Sequence, residues 1–341
     1  MYYFLLIFYY YYIVNLMSKN ILISGGAGYL GTQLTQYLLK KGYVITVYDE
    51  LYFPWLFKNR KKLKNSKNLK FLKKNITEVS IQDFKGIDVV CDLNGIPNDP
   101  ASEINKKYTW KINHLGRKNF ASKAKKSGVK RYIFNSTCSV YGFNKNIVHE
   151  NSKKNPISTY AKANLKSEQY VYKLKDKNFK VNILRNSTLF GFSNNLRLDL
   201  VINIFVYNII KKQKIKIDGD GLQFRPFISL NDVCQVYDIL IKSKKNSFIT
   251  NLVNFNLTIK DLTKKICKVL NVSFKSHVMF NKKNNDKRNY NVKSKNFKKI
   301  FKSFKHSSFK KELLDLKVGI IQNDIKKNNS TVRMKFYKKL F

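Results

Sequence analysis

Acidic residues are scarce in this chain: 21 Asp and Glu stand against 66 Lys and Arg, a formal net charge of +45. Cysteine is scarcer. Cys91, Cys138, Cys234 and Cys267 lie far apart with no CxxC pair, which argues against a disulfide framework or a zinc site and fits a reduced, cytoplasmic setting. His114, His149, His277 and His306 also lack metal-ligand spacing, so no metal is expected. There is no internal repeat, and beyond the first residues no segment is simple enough in composition to be a linker. Residues 1–16 are apolar and tyrosine-rich but have no basic n-region, no small-residue cleavage site and too little length for a membrane span. They read as a mispredicted start or disordered leader upstream of Met17 rather than a membrane-surface anchor, and no stable membrane insertion is expected.

A charge of this size points first to nucleic acid, which binds lysine-rich faces through its phosphates. The lysines, however, are scattered through every segment, with no basic tail and no aromatic-interleaved RNA motif. Lys, Asn, Ile, Phe and Tyr are enriched together, and their codons are rich in A and T, so base composition explains the charge. No nucleic-acid partner is expected, although the field should attract phosphorylated substrates. Arginine carries more information, because only Arg60, Arg117, Arg131, Arg185, Arg197, Arg225, Arg288 and Arg333 are present. Arg60 and Arg333 read as chance retention on a solvated face. Among the others, some need the planar fork that binds phosphate bidentately.

With 341 residues and 43% hydrophobic content, the chain has enough material for one large α/β core and a smaller appended domain. Residues 21–24 form a short apolar run suited to a buried parallel strand. Gly25, Gly26, Gly28 and Gly31 follow, then an amphipathic run with Leu30, Leu34, Tyr37 and Leu38 at helical spacing. Strand, glycine turn and helix in that order form a dinucleotide cradle: glycine permits the bend and close backbone approach, and the helix N-terminus offers N–H groups to a pyrophosphate. A second apolar run, 44–48, ends in Asp49, near the spacing at which a carboxylate accepts bonds from adenosine ribose hydroxyls. It would repel a 2′-phosphate, so NAD is favoured over NADP.

Further strands are expected at 69–72, 88–93, 131–136 and 181–184, with helices at 102–127 and 158–175. Alternation of this kind implies a doubly wound parallel sheet, a Rossmann domain covered on both faces. Beyond 187 the rhythm becomes irregular, with helical runs at 198–212, 258–270 and 294–302. The expected division is an NAD-binding domain over 17–187 and a mainly substrate-binding domain over 188–330, with 215–250 partly returning to the first.

Three stretches then combine: GGAGYLG at 25–31, NSTCSVYG at 135–142 and STYAKANLKSE at 158–168. Together they resemble the extended short-chain dehydrogenase/reductase family, specifically its NAD-dependent nucleotide-sugar epimerases and dehydratases, over about residues 17–300. The resemblance implies that Thr137 hydrogen-bonds the sugar 4-oxygen and that Tyr160 shuttles the proton. It also implies cofactor contacts from Gly25, Gly28, Tyr29, Leu30, Gly31, Asp49, Asn75, Ile76, Leu93, Asn94, Gly95, Asn113 and Ser136. Asn203, Arg225 and Arg288 match contacts to the substrate diphosphate. The implied ligands are NAD and a nucleotide-diphosphate sugar, and the implied assembly is a homodimer.

One family residue is absent. Where the pattern YxxxK places a lysine, this chain has Asn164, and Lys162 and Lys166 fall away from the tyrosine's helix face. A positive charge about 5 Å from the phenol, at an effective dielectric near 20, contributes roughly 3 kcal/mol, so its loss should slow proton transfer. Asn164 can still bond a ribose hydroxyl, which leaves it a place in the catalytic set. Relatives that remove water carry an Asp-Glu pair after the threonine, and decarboxylating relatives a glutamate. Cys138 and Ser139 stand there instead, and no histidine lies near enough for 3,5-epimerisation. What remains is 4-epimerisation through a 4-keto sugar, with a 4-ketoreductase or a non-catalytic NAD-binding protein as the alternatives.

Overall fold

The computed structural model describes residues 19–53, 66–281 and 289–341. Strands β1 (Asn20–Ser24), β2 (Val44–Asp49), β3 (Leu69–Lys73), β4 (Val89–Asp92), β5 (Arg131–Thr137) and β6 (Lys180–Asn186) are followed by β7 (Thr188–Phe190), β8 (Ile215–Asp218), β9 (Phe224–Ser229), β10 (Phe248–Leu252), β11 (Phe255–Thr258) and β12 (Val278–Asn281). Seven of these form one sheet in the order β10-β6-β5-β4-β1-β2-β3, every neighbouring pair parallel. Residues of β1 alternate between two cores: Ile21 and Ile23 pack into one and Leu22 into the other. Both faces are therefore covered, which is why the strand reads as a continuous apolar run. From β1 the chain moves outward to β2 and β3, then returns to β4 and proceeds the other way. The crevice above that reversal, at the carboxyl ends of the strands, is where such sheets bind ligands.

Helix α1 (Tyr29–Lys40) turns Leu30, Leu34 and Leu38 onto the sheet, and its N-cap is Gly28, so no side chain closes its amino end. The single helix expected at 102–127 is instead a broken series: α2 (Asp99–Ser102), α3 (Lys106–Trp110), a π-helical turn Lys111–Gly116, and α4 (Arg117–Lys126). Two asparagines restart it. Asn98 accepts from the Ala101 N–H and Asn105 from the Tyr108 N–H, each at 2.9 Å, a local bond that competes with helix continuation. Next comes α5 (Thr159–Lys173), capped by Ser158, whose hydroxyl accepts from the Ala161 N–H at 3.1 Å.

Beyond 187 lie α6 (Val201–Ile210), α7 (Leu230–Lys242), α8 (Ile259–Leu270), α9 (Phe309–Gln322) and α10 (Arg333–Leu340). The run expected at 294–302 shortens to Phe297–Ile300. Strands β11, β9 and β7 make a three-stranded sheet, and β8 pairs with β12. Both β8 and β9 thus lie outside the main sheet, whereas α7 packs on α1 and β10 forms one edge of that sheet. Two C-terminal helices, α9 and α10, were not anticipated from the sequence. The leader at 1–16, Arg60 and Arg288 lie outside the described residues.

Candidate active site

A cleft of about 620 Å³ opens above the β1/β4 reversal. The turn after β1 forms one wall. Gly25 has φ +70°, and a Cβ there would lie 2.9 Å from the Leu93 carbonyl carbon and the Asn94 nitrogen. Gly31 is tighter still, since its Cβ would meet the Gly25 oxygen at 2.1 Å. Gly31→Ala should therefore open the turn, costing about 1–3 kcal/mol of overpacking strain and removing measurable NAD binding in titration calorimetry.

At the end of β2, Asp49 accepts from the Ala27 N–H at 3.0 Å and the Leu51 N–H at 2.7 Å. Burial pushes its carboxyl up to about 6, although both N–H bonds and Arg333 favour the ionised form. Asn75 caps the short turn Ile76–Glu78, and its carbonyl accepts from the Tyr48 hydroxyl at 2.9 Å. Asn113, on the π-helical turn, spends its amide on one residue: it accepts from the Ile96 N–H at 2.7 Å and donates to the Ile96 carbonyl at 3.0 Å. It shapes the loop after β4, whose residues Leu93, Asn94 and Gly95 line the cleft.

The opposite wall carries Tyr160 and Thr137. Tyr160, at the start of α5, and Thr137, at the end of β5, line the cleft together. Burial raises the phenol pKa overall; the Thr137 side chain lowers it, Asp99 raises it, and the guanidinium groups of Arg197 and Arg117 lower it. The amino end of α5 is held from two sides: Glu103 accepts from the Thr159 N–H at 2.7 Å and Ser102 from the Tyr160 N–H at 3.1 Å. Ser136 donates to Glu168 at 2.8 Å, fixing the strand end. Cys138 faces the interior, with its thiol on the Arg185 carbonyl at 3.2 Å and burial raising its pKa. Lys162 and Lys166 are exposed, as their helix positions require.

The residues expected to bind cofactor line this one cleft together with Thr137, Tyr160, Asn164 and Arg225. Asn203 does not. It is fully buried, accepting from the Gly191 N–H at 3.2 Å and donating to the Tyr29 hydroxyl at 2.9 Å and the Arg197 carbonyl at 3.0 Å, so its polar atoms tie α6 to neighbouring loops rather than meeting a diphosphate. Arg333 is the second correction. Far from a solvated face, it is 2% exposed, stacks 3.4 Å from the Phe53 ring centroid and lines the cleft. Burial and the nearby Arg197 lower its pKa to about 9. Arg197 also lines the cleft, gripping Asp199 through two bonds at 3.0 and 2.9 Å. Retention of arginine in a lysine-rich chain was the only sequence signal for these two.

Asn164 lines the cleft and is held from two sides. Its carbonyl oxygen accepts from Arg117 Nη1 at 2.8 Å and its amide donates to the Tyr160 carbonyl at 2.8 Å, so its oxygen and one N–H are already engaged within the protein.

Compared with known proteins, the sequence model of the NAD dependent epimerase/dehydratase family matches residues 21–255, more than half of the chain. The chain belongs to that family. Its relatives include the uncharacterized UDP-glucose epimerase YtcB of Bacillus subtilis, 28% identical over 62% of this chain and 69% of that one. The dTDP-D-glucose 4,6-dehydratase of Homo sapiens is 26% identical over 74% of both. Among solved structures, the UDP-N-acetylglucosamine 4-epimerase of Methanobrevibacter ruminantium, in complex with UDP-N-acetylmuramic acid, superposes with a TM-score of 0.79 at 24% identity, covering 89% of this chain and 99% of that one. This epimerase/dehydratase is thus a Rossmann-type enzyme of an NAD-dependent family. Its own residues fit the cofactor: the glycine turn leaves open the space that Cβ atoms would fill, and a carboxylate closes the end of β2. Among the described residues no helix is long and apolar enough to cross a membrane.

Proposed function

We propose that this protein is a nucleotide-sugar 4-epimerase that uses NAD. The observation that carries the reading is that Tyr160 and Thr137 line the same cleft as the glycine turn, with Cys138 and Ser139 rather than two carboxyls following the threonine. NAD, when bound, supplies the hydride acceptor and donor. Gly25, Gly28 and Gly31 bring the backbone close to its pyrophosphate, and Asp49 accepts from the adenosine ribose. Tyr160 takes the proton from the sugar 4-hydroxyl and returns it, while the Thr137 hydroxyl holds the same oxygen in line. Arg225 lines the substrate end of the cleft and serves the diphosphate. Dehydration is disfavoured because Cys138 is a buried thiol and Ser139 carries no acid.

The test is direct. Purified protein supplied with NAD and a panel of UDP-, dTDP- and GDP-sugars should interconvert one pair of C4 epimers, followed by proton NMR. Retention of NAD with no interconversion and no solvent or hydride label entering any sugar would overturn the reading.

Asp49 makes the cofactor affinity pH-dependent. Its folded pKa, about 6, lies above the value of a free aspartate. The ionised carboxylate therefore destabilises the protein without NAD above pH 6, and this penalty is relieved as pH falls through 6 toward 4. Ribose hydroxyls donate to the ionised form, so NAD affinity should fall over the same interval. Asp49→Asn should flatten both trends, measured as the dissociation constant and the thermal midpoint between pH 5 and pH 8.

A further inference from the structure

Arg117 opens α4 and is 2% exposed, yet it lines the cleft. A buried guanidinium is costly unless its donors are paired, and here they are. Nε donates to Asp92 Oδ2 at 2.9 Å, Nη2 to the Asp92 carbonyl at 3.1 Å and the Asn135 carbonyl at 3.0 Å, and Nη1 to Asn164 Oδ1 at 2.8 Å. The guanidinium carbon lies 3.7 Å from the centroid of the Phe134 ring, a stacking that adds cation–π attraction. Asp92, fully buried at the end of β4, also accepts from the Ser24 hydroxyl at 2.8 Å, the Tyr132 hydroxyl at 2.8 Å and the Asn94 N–H at 3.2 Å. Asp92 opposes the guanidinium in a buried ion pair, so the carboxylate sets how much of the arginine's charge reaches its neighbours.

The geometry points to Arg117 as the positioning residue that stands in for the lysine absent from α5: it reaches across from α4, seizes Asn164 four positions after Tyr160, and brings a positive charge beside the phenol from the neighbouring helix. This rests on the catalytic role proposed for Tyr160. It explains why position 164 carries a neutral side chain. An ammonium there would sit within hydrogen-bond distance of a buried guanidinium, where like charges repel strongly at low dielectric. Asparagine accepts from the arginine instead and passes the restraint to the Tyr160 carbonyl, one residue pinning both the cation and the first turn of α5. Burial raises the phenol overall, and against it Arg197 and, to a smaller extent, Arg117 favour the ionised form.

The experiment combines three substitutions with two readouts. Tyr160 ionisation is read by ultraviolet difference titration, each variant against its own Tyr160→Phe partner, and hydride transfer by its pH profile on whichever nucleotide sugar is turned over. Arg117→Gln should move both profiles to higher pH and slow transfer roughly tenfold or more at neutral pH. Asp92→Asn keeps the arginine but removes the opposing charge, so it should move them to lower pH. Asn164→Lys alone should lower the thermal midpoint without speeding transfer, whereas Asn164→Lys in the Arg117→Gln background should restore the profile. Unshifted profiles in both Arg117→Gln and Asp92→Asn, with only the midpoint changed, would overturn the proposal, as would Asn164→Lys that accelerates transfer while Arg117 is present. Should Arg117→Gln fail to fold, the direction of the Asp92→Asn shift decides alone. The titration needs no substrate, so absence of turnover in the unmodified enzyme would sink the catalytic reading while leaving the charge relation decidable.

Discussion

Tyr160→Phe is expected to lower the proposed epimerisation by about 10²–10⁴-fold, the range for removal of a positioned acid–base group. The ring should remain in place, because what holds it is backbone: the Tyr160 N–H on Ser102, the Tyr160 carbonyl on Asn164 and the Ser158 cap. NAD affinity should change little, since the glycine turn and Asp49 lie on the other wall of the cleft. Thr137 would keep its bond to the Ser139 N–H at 3.1 Å, so the strand end should not collapse. The measurement is single-turnover hydride transfer beside NAD calorimetry on the same preparation. A loss below tenfold, or a parallel loss of NAD affinity, would remove Tyr160 from the chemistry.

The second large effect is on stability. Glu168 and Arg185 form an ion pair whose side chains are 3% and 2% exposed, with Arg185 Nε on Glu168 Oε2 at 3.0 Å and a further bond between Nη2 and Oε1. Arg185 also donates to the Tyr141 hydroxyl at 2.8 Å and the Glu150 carbonyl at 3.1 Å. Glu168→Leu strands the guanidinium without its carboxylate and takes away the acceptor of Ser136, so it should cost about 3–5 kcal/mol by chemical denaturation. The double variant Glu168→Leu with Arg185→Leu should recover much of that loss, because no unpaired charge is then buried. If the double variant is as unstable as the sum of the singles, the coupling does not exist.

These two predictions use information of different origin. The glycine turn was legible because it belongs to a local pattern whose backbone tolerates no side chain, whereas Tyr160 and Thr137 were singled out only by the family their motifs resemble. The parallel strands were legible for a similar reason, since burial on both faces leaves a continuous apolar run such as Ile21–Leu22–Ile23 that survives heavy lysine enrichment. The break in the helix after β4 was less visible. Its causes, the Asn98 and Asn105 caps, are asparagines in a chain where asparagine is common, and a cap differs from a surface residue only by the bond it makes. The two C-terminal helices lie beyond the segments whose motifs carried the sequence argument, and α10 in particular buries one face under lysines that read as solvated.

Asn203 and Arg333 lie elsewhere than their sequence positions suggest, for a related reason. Position along the chain placed Asn203 at a diphosphate, but α6 turns it inward onto Gly191, Tyr29 and Arg197. Nothing near Arg333 in sequence announces a ligand, yet α10 carries it over Phe53 into the cleft, distant in sequence from every other wall.

By itself, then, the sequence determined the Rossmann scaffold and the cofactor turn, because short-range spacing and steric exclusion encode both; Thr137 and Tyr160 came from the family resemblance. Only the tertiary structure decided which charges surround that tyrosine. Asp99, Arg197 and Arg117, the charged groups that act on it, come from separate segments of the chain and meet because burial forces ionised side chains to find partners wherever the packing provides them.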